Sequence, residues 1–252
     1  MARDRRATRL FALLGSGEFE PWAAEADRWL LDRATGDGSV LLLPMASAPE
    51  GDEVFDRWGQ MGLDHYRGMG VRAEILPLKT REDAEREDLA GRLSDASEVF
   101  FSGGNPAFLT ASLRDTTFWR RLVQELDRGL AYGGCSAGVA VLGEVVPDSR
   151  HLIPGATSFP DDLWSPGLGL FPRVTFSPHW DTVETFYPGA RGRIEAAVPK
   201  GSRLVGLDER TAMLGDGREW TVVGDGAVYV LEDGRWTSFP AGTSFTADLT
   251  AG

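Results

Sequence analysis

The sequence predicts a three-layer αβα sandwich around a mainly parallel β-sheet. Two observations lead to it. Between Leu10 and Tyr132, short apolar runs alternate with amphipathic stretches of helical spacing, the pattern of repeated βαβ units. Such units cross over right-handedly and build a parallel sheet covered by helices on both faces, so its strands read as apolar runs. Between Glu219 and Phe239 the pattern changes to three β-rich runs broken by Gly224-Asp225-Gly226 and Asp233-Gly234. These turns signal hairpins and an antiparallel extension of the sheet.

Taken in order, strands are expected over Leu10 to Leu14, Val40 to Leu43, Ala73 to Leu78, Val99 to Phe101 and Leu130 to Tyr132. Helices are expected over Pro21 to Ala34, Val54 to Met69, Glu82 to Leu93 and Thr117 to Arg128. The charge-dense Glu82 to Asp88 reads as the solvated face of its helix. Further on, Val174 to Pro178 and Leu204 to Leu207 read as strands. A length of 252 residues suits one domain, with residues 1–9 expected to be flexible and 219–239 forming the antiparallel extension.

A composition of 42% apolar and 25% charged residues is that of a globular protein. The net charge of −12 argues against a nucleic-acid partner or an anionic membrane surface, both of which need clustered Lys and Arg. No run approaches the ~18 consecutive apolar residues of a membrane span. The run Leu10 to Leu14 is too short for a signal-peptide core. With one cysteine no intrachain disulfide can form, so a cytoplasmic location is expected. A homodimer is kept open as the assembly.

The strongest local signal is Gly134-Cys135-Ser136-Ala137-Gly138, a G-x-S-x-G after a strand and before the small-residue run Val139 to Leu142. In 31 glycines the pattern alone is weak, and its strand-turn-helix setting is what marks a nucleophile elbow. Ser136 is the expected nucleophile. Cys135 is the rival, at a position where the elbow turns its side chain away. The base must be one of three histidines. His65 lies in an amphipathic stretch, His151 in a loop after Pro147, and His179 at the end of the Val174 to Pro178 strand, which makes it the expected base. Asp148, Asp181, Asp208 and Glu209 are candidates to orient it. Asp208 and Glu209 follow a strand on opposite faces. The order Ser, His, acid differs from the Ser, acid, His of α/β-hydrolases. Gly103-Gly104, after the strand ending at Phe101, offers backbone N–H groups that complete an oxyanion hole with the Ala137 amide. No HExxH, CxxC or His/Cys cluster is present, so neither metal nor cofactor is expected. Gly15-Ser16-Gly17 lacks the third glycine of a dinucleotide loop, since Glu20 stands there.

In this order, Gly103-Gly104-Asn105, Gly134-Cys135-Ser136-Ala137-Gly138, His179 and Gly206-Leu207-Asp208-Glu209-Arg210-Thr211-Ala212 resemble the cyanophycinase and dipeptidase E family of serine peptidases. The likeness runs from Leu10 to about Leu231. It implies a fold similar to class I glutamine amidotransferases with serine in place of the cysteine nucleophile, and a Ser-His-Glu triad, which singles out Glu209. It also implies small peptide or isopeptide substrates with an aspartyl acyl group, bound in part by Asn105 and by a cation, for which Arg193 in the matching Arg191-Gly192-Arg193 segment is the candidate. Pro106 stands where cyanophycinases carry a substrate-binding glutamine. The alternatives are a noncatalytic binding protein of the same fold and an amidase or esterase for nonpeptide substrates.

Overall fold

The computed structural model describes residues 7–147, 164–186 and 188–251. In chain order its first elements are β1 (Leu10–Leu14), α1 (Ala24–Leu31), β2 (Ser39–Leu43), α2 (Asp52–Gly68), β3 (Arg72–Ile75), α3 (Arg81–Ala84), α4 (Glu87–Gly91), β4 (Glu98–Phe101), α5 (Pro106–Leu113), α6 (Thr117–Leu126), β5 (Ala131–Cys135) and α7 (Ala137–Ala140). Strands β1, β5, β4, β2 and β3 lie side by side in that order, all parallel. Alternation along the strands sends Ala12, Leu14, Leu42 and Cys135 into a layer with Ala26 and Leu30 of α1 and Tyr66 of α2. Phe11, Leu13, Leu43 and Phe101 face the other way, against Leu109 of α5, Leu122 of α6 and Val139 of α7. Burial on both faces is why these strands lack a polar side.

Two local features differ from the expectation. The helix over Glu82 to Leu93 is two short helices, α3 and α4. Thr80 and Asp83 close a capping box on α3, and the extended Arg86 (ψ 121) ends it and starts α4. Helix α5 was not foreseen, although its start carries a signature: the Asn105 side chain accepts from the Phe108 amide, and Pro106 occupies the first turn, where its missing N–H costs nothing.

The remaining elements are β6 (Val145–Pro147), β7 (Trp164–Pro166), β8 (Val174–Pro178), α8 (Val183–Phe186), α9 (Ala190–Ala197), β9 (Arg203–Leu207), β10 (Thr211–Gly215), β11 (Glu219–Gly224), β12 (Ala227–Glu232), β13 (Arg235–Pro240) and β14 (Ser244–Thr246). Strands β10, β11 and β14 extend the central sheet antiparallel from β1, giving eight strands among the described residues. The expected extension over 219–239 is therefore met by β11. Strands β12 and β13 depart from it and join β9 and β8 in a second sheet, of four strands among the described residues. Asp233-Gly234 is a two-residue hairpin turn, both residues at positive φ (50° and 75°), between the paired Glu232 and Arg235. Gly224-Asp225-Gly226 is instead a corner that carries the chain between sheets. Gly224 sits at φ 104°, and a Cβ there would lie 2.2 Å from the Arg210 carbonyl oxygen. Ala7 and Arg9, within the segment expected to be flexible, are bonded to the Asp127 carbonyl and carboxyl groups.

Candidate active site

Strand β5 ends on the side of the sheet formed by the carboxyl ends of the parallel strands, where such sheets hold their sites, and Ser136 follows it directly at φ 50°, ψ −107°. For a non-glycine residue this is a strained conformation, on the order of 1–3 kcal/mol, of the kind that functional sites retain. The flanking glycines are sterically required. A Cβ on Gly138 would lie 2.4 Å from the Phe101 carbonyl oxygen, and one on Gly134 would lie 2.8 Å from the Tyr132 ring and 2.9 Å from the Gly138 carbonyl. The Tyr132 hydroxyl donates to that same carbonyl at 2.6 Å, and the Ser136 amide donates to Leu14 O at 3.1 Å. Helix α7 spans only Ala137–Ala140, so the local amides rather than a long helix dipole define the electrostatics.

His179 ends β8 of the second sheet, also at positive φ (58°). Its Nε2 lies 2.9 Å from Ser136 Oγ, and its Nδ1 lies 3.0 Å from Glu209 Oε1. Glu209 occupies the link between β9 and β10, where the chain passes from the second sheet to the first. Two neighbours of His179 hold it. The Thr182 hydroxyl donates to Glu209 Oε1 at 3.2 Å, and Asp181 Oδ1 accepts from the Glu209 amide at 2.9 Å. Asp181, weighed in the sequence as an orienting acid, thus grips the backbone of the residue that meets His179. Asp208 faces the other way, accepting from the Ala227 amide at 3.0 Å and the Tyr229 hydroxyl at 3.3 Å. Its burial pushes the carboxyl above its ordinary range.

The turn after β4 lies against the elbow. A Cβ on Gly103 would lie 3.4 Å from Ser136 Cβ. Gly104 has φ 141°, and a Cβ there would meet the Ala46 carbonyl at 2.4 Å, so only glycine fits. The Gly103 amide is already spent on Glu18 Oε1 at 2.9 Å. Among the described residues, the Gly104 and Ala137 amides have no protein acceptor. Asn105 caps α5 through Oδ1 and lines a recess of about 600 Å³ with Phe108, Ala111 and Pro166. Arg193 is exposed on α9, a helix seated through Ala190 and Ile194 against Trp180, the residue after His179.

The rival side chains sit elsewhere. Cys135 is fully buried, its thiol donating to Glu18 Oε2 at 2.9 Å. Burial, and then the Glu18 charge, push that thiol well above its usual range, which keeps it a poor nucleophile. His65 lies in α2 with Nε2 2.6 Å from Asp27 Oδ2. His151 and Asp148 lie outside the described residues. Among the described residues no His, Cys, Asp and Glu side chains are grouped so as to hold a metal ion, and no helix is long and apolar enough to cross a membrane.

The profile of Peptidase family S51 matches residues 11–223. The chain belongs to this family. Within S51 and its structural neighbours, a cyanophycinase from Synechococcus elongatus is 34% identical over 209 residues, which cover 79% of this chain and 61% of the relative. The chain thus spans about three-fifths of that protein's length. The crystal structure of a peptidase from an acI-B1 Actinobacterium is similar with a TM-score of 0.86 at 28% identity, covering 96% of this chain and 98% of that one. A putative peptidase E protein from Listeria monocytogenes shares the fold, with a TM-score of 0.59 at 16% identity over 93% of this chain and 99% of its own.

For an S51 chain, three side chains near the site went unread in the sequence or were read for another role: Glu18, Asp181 and Thr182. Asp181 and Thr182 had a signal, since polar residues within three positions of a base on a strand end can reach its partner. Glu18 had a weaker one, an acid inside a glycine-rich turn at the C-terminal end of the first strand.

Proposed function

We propose that the chain is a serine-type peptidase that hydrolyses small peptides or isopeptides through a Ser136-His179-Glu209 triad and an acyl-enzyme. One observation carries this reading: the unbroken chain from Glu209 Oε1 to His179 Nδ1 at 3.0 Å and from His179 Nε2 to Ser136 Oγ at 2.9 Å. Nucleophile, base and orienting acid are then all within hydrogen-bond reach.

His179 Nε2 takes the Ser136 hydroxyl proton as Oγ bonds to the scissile carbonyl carbon, and the Gly104 and Ala137 amides receive the developing oxyanion. Glu209 holds the Nδ1–H of His179 and stabilises the imidazolium. The C–N bond then breaks, with His179 returning the proton to the leaving amine. Water, deprotonated by the same histidine, cleaves the acyl-enzyme. Support for an aspartyl acyl group comes from the family resemblance and from relatives named cyanophycinases, with Arg193 the proposed cation for the acyl carboxylate and Asn105 a substrate contact. Pro106, built into the first turn of α5, removes the glutamine side chain that resemblance would supply there, so the favoured substrates are small aspartyl peptides rather than the polymer.

The test is labelling by a fluorophosphonate together with turnover of Asp-X dipeptides, β-Asp-Arg and simple esters. The wild type should label and cleave an aspartyl amide, and Ser136→Ala should do neither. Retained turnover in Ser136→Ala sinks the triad, and turnover of esters alone sinks the peptidase.

A further inference from the structure

The segment Gly15-Ser16-Gly17-Glu18-Phe19, dismissed in the sequence as an incomplete nucleotide loop, has a different architecture. Gly15 has no room for a side chain, since a Cβ would lie 2.0 Å from the Asp208 carbonyl oxygen. Gly17 and Phe19 both take positive φ, 73° and 66°, so the chain reverses on either side of Glu18 and turns it inward. Glu18 is only 5% exposed.

Its two carboxyl oxygens have different partners. Oε1 accepts from the Gly103 amide at 2.9 Å, and Oε2 accepts from the Cys135 thiol at 2.9 Å. Each partner directly precedes a residue of the site: Gly103 precedes Gly104, and Cys135 precedes Ser136. The Asn105 amide, on the far side of Gly104, donates to Ala46 O at 2.7 Å. The Gly103-Gly104 peptide is therefore pinned from both ends, which fixes where the Gly104 N–H points. The same segment reaches the third part of the site, where Ser16 Oγ accepts from the Arg210 amide at 3.3 Å, one residue beyond Glu209. A buried carboxyl without partners is expensive, and one satisfied by a backbone amide forms a strong bond. The burial of Glu18 is thus tied to holding these two strand ends together.

We infer that Glu18 is a positioning residue: it holds the turn after β4 against the elbow after β5, so that the Gly104 and Ala137 amides converge on one oxyanion. This rests on the hydrolytic reading of Ser136. Loss of one oxyanion donor costs about 10²- to 10³-fold in turnover, and a loosened rather than deleted donor costs less.

The experiment compares kcat, KM and the fluorophosphonate labelling rate for wild type, Glu18→Gln, Glu18→Asp and Glu18→Met, with thermal unfolding as a check on folding. Glu18→Met, which has no acceptor for Gly103, should lose about 10- to 100-fold in kcat and in labelling rate with KM within about threefold. Glu18→Gln should stay within about fivefold of wild type, because its amide oxygen still accepts from Gly103 while its NH₂ faces the thiol. Glu18→Asp, a methylene shorter, should fall between them, and it carries the test if Glu18→Met does not fold. Glu18→Met or Glu18→Asp at the wild-type kcat, a loss confined to KM, or Glu18→Gln as impaired as Glu18→Met would each overturn the inference. A wild type that labels while Glu18→Met labels equally fast breaks the Glu18 role alone. A wild type that neither labels nor hydrolyses breaks the reading of Ser136 and this inference with it.

Discussion

The two sheets divide the site unequally. The central sheet supplies Ser136 from a strand buried on both faces, with the elbow locked by glycine contacts on Phe101, Tyr132 and Gly138. The second sheet supplies His179 and Glu209 from strand ends near the surface, with side chains about one-third exposed. Its outer strand β13 is mostly solvent-facing. Strain is shared by both halves, since Ser136 and His179 both take positive φ. In the proposed triad, Ser136 is thus held by backbone packing and His179 and Glu209 by a few side-chain bonds. A packed elbow has one arrangement, while a bonded pair can be loosened by one atom.

Breaking the comparison at its strongest point means removing the second sheet's contribution outright. His179→Ala should lower kcat by about 10⁴- to 10⁶-fold, and Ser136→Ala combined with His179→Ala should be no worse than either alone, because triad members act as a unit. Steady-state turnover of the best aspartyl substrate measures both. The seam between the sheets is tested by Gly15→Ala, whose Cβ has the Asp208 carbonyl oxygen 2.0 Å away. Overpacking of this kind costs about 1–3 kcal/mol or more, and separating the sheets also separates Ser136 from His179. Unfolding should shift down by roughly 3–10 °C, and residual activity at a temperature where the variant is folded should still be reduced.

Much of this contrast was legible in the sequence on one side only. Strands β1, β2, β4 and β5 match the expected apolar runs to within a few residues, because a parallel strand covered on both faces has no polar alternation to confuse it. His179, which the structure brings to Ser136, could be singled out because histidines are scarce and because it follows an apolar run. Strands β8 and β9 were legible as apolar runs too, but their assembly with β12 and β13 into a second sheet was not. Strands β9 and β10 are consecutive in sequence and belong to different sheets, as do β11 with β12 and β13 with β14. Each passage depends on backbone geometry, such as Arg210 at φ 51° and Gly242 at φ 84°, that no local pattern encodes. Glu18 was missed for a related reason: its partners are a backbone amide and a thiol brought to it from other strands.

Smaller perturbations sharpen the picture. Thr182→Val deletes one of the donors on Glu209 Oε1 and leaves the triad intact, so kcat should fall about 3- to 10-fold with KM unchanged, the worth of one hydrogen bond. Under the central sheet, burial and then the charge of Asp27 raise the Glu98 carboxyl well above the ordinary 4.5, and among the described residues Glu98 Oε2 has no hydrogen-bond partner. A raised carboxyl favours the protonated fold, so its contribution is full below 4.5 and is lost as pH rises from there through the raised value. Glu98→Gln should therefore unfold at a higher temperature than wild type at pH 8 and match it below pH 4.5, as read by calorimetry. The smallest effect belongs to Gly234 in the β12–β13 turn. No atom lies within 4 Å of a Cβ built there, but its φ is 75°, so Gly234→Ala should cost about 1 kcal/mol in denaturant unfolding and leave turnover untouched.

The repeated passage of the chain between sheets also bears on when the site comes into being. Phe11 of the first strand pairs with Gly215, and β9, which leads into Glu209, pairs with β12. Contacts so distant along the chain form slowly, and a chain emerging from the ribosome N-terminus first cannot form them early. A nascent chain that has reached β5 carries Ser136 and Glu18 but neither His179 nor Glu209. Under the proposed triad, Ser136 stays a chemically ordinary serine until the chain has grown past Glu209, 73 residues further on.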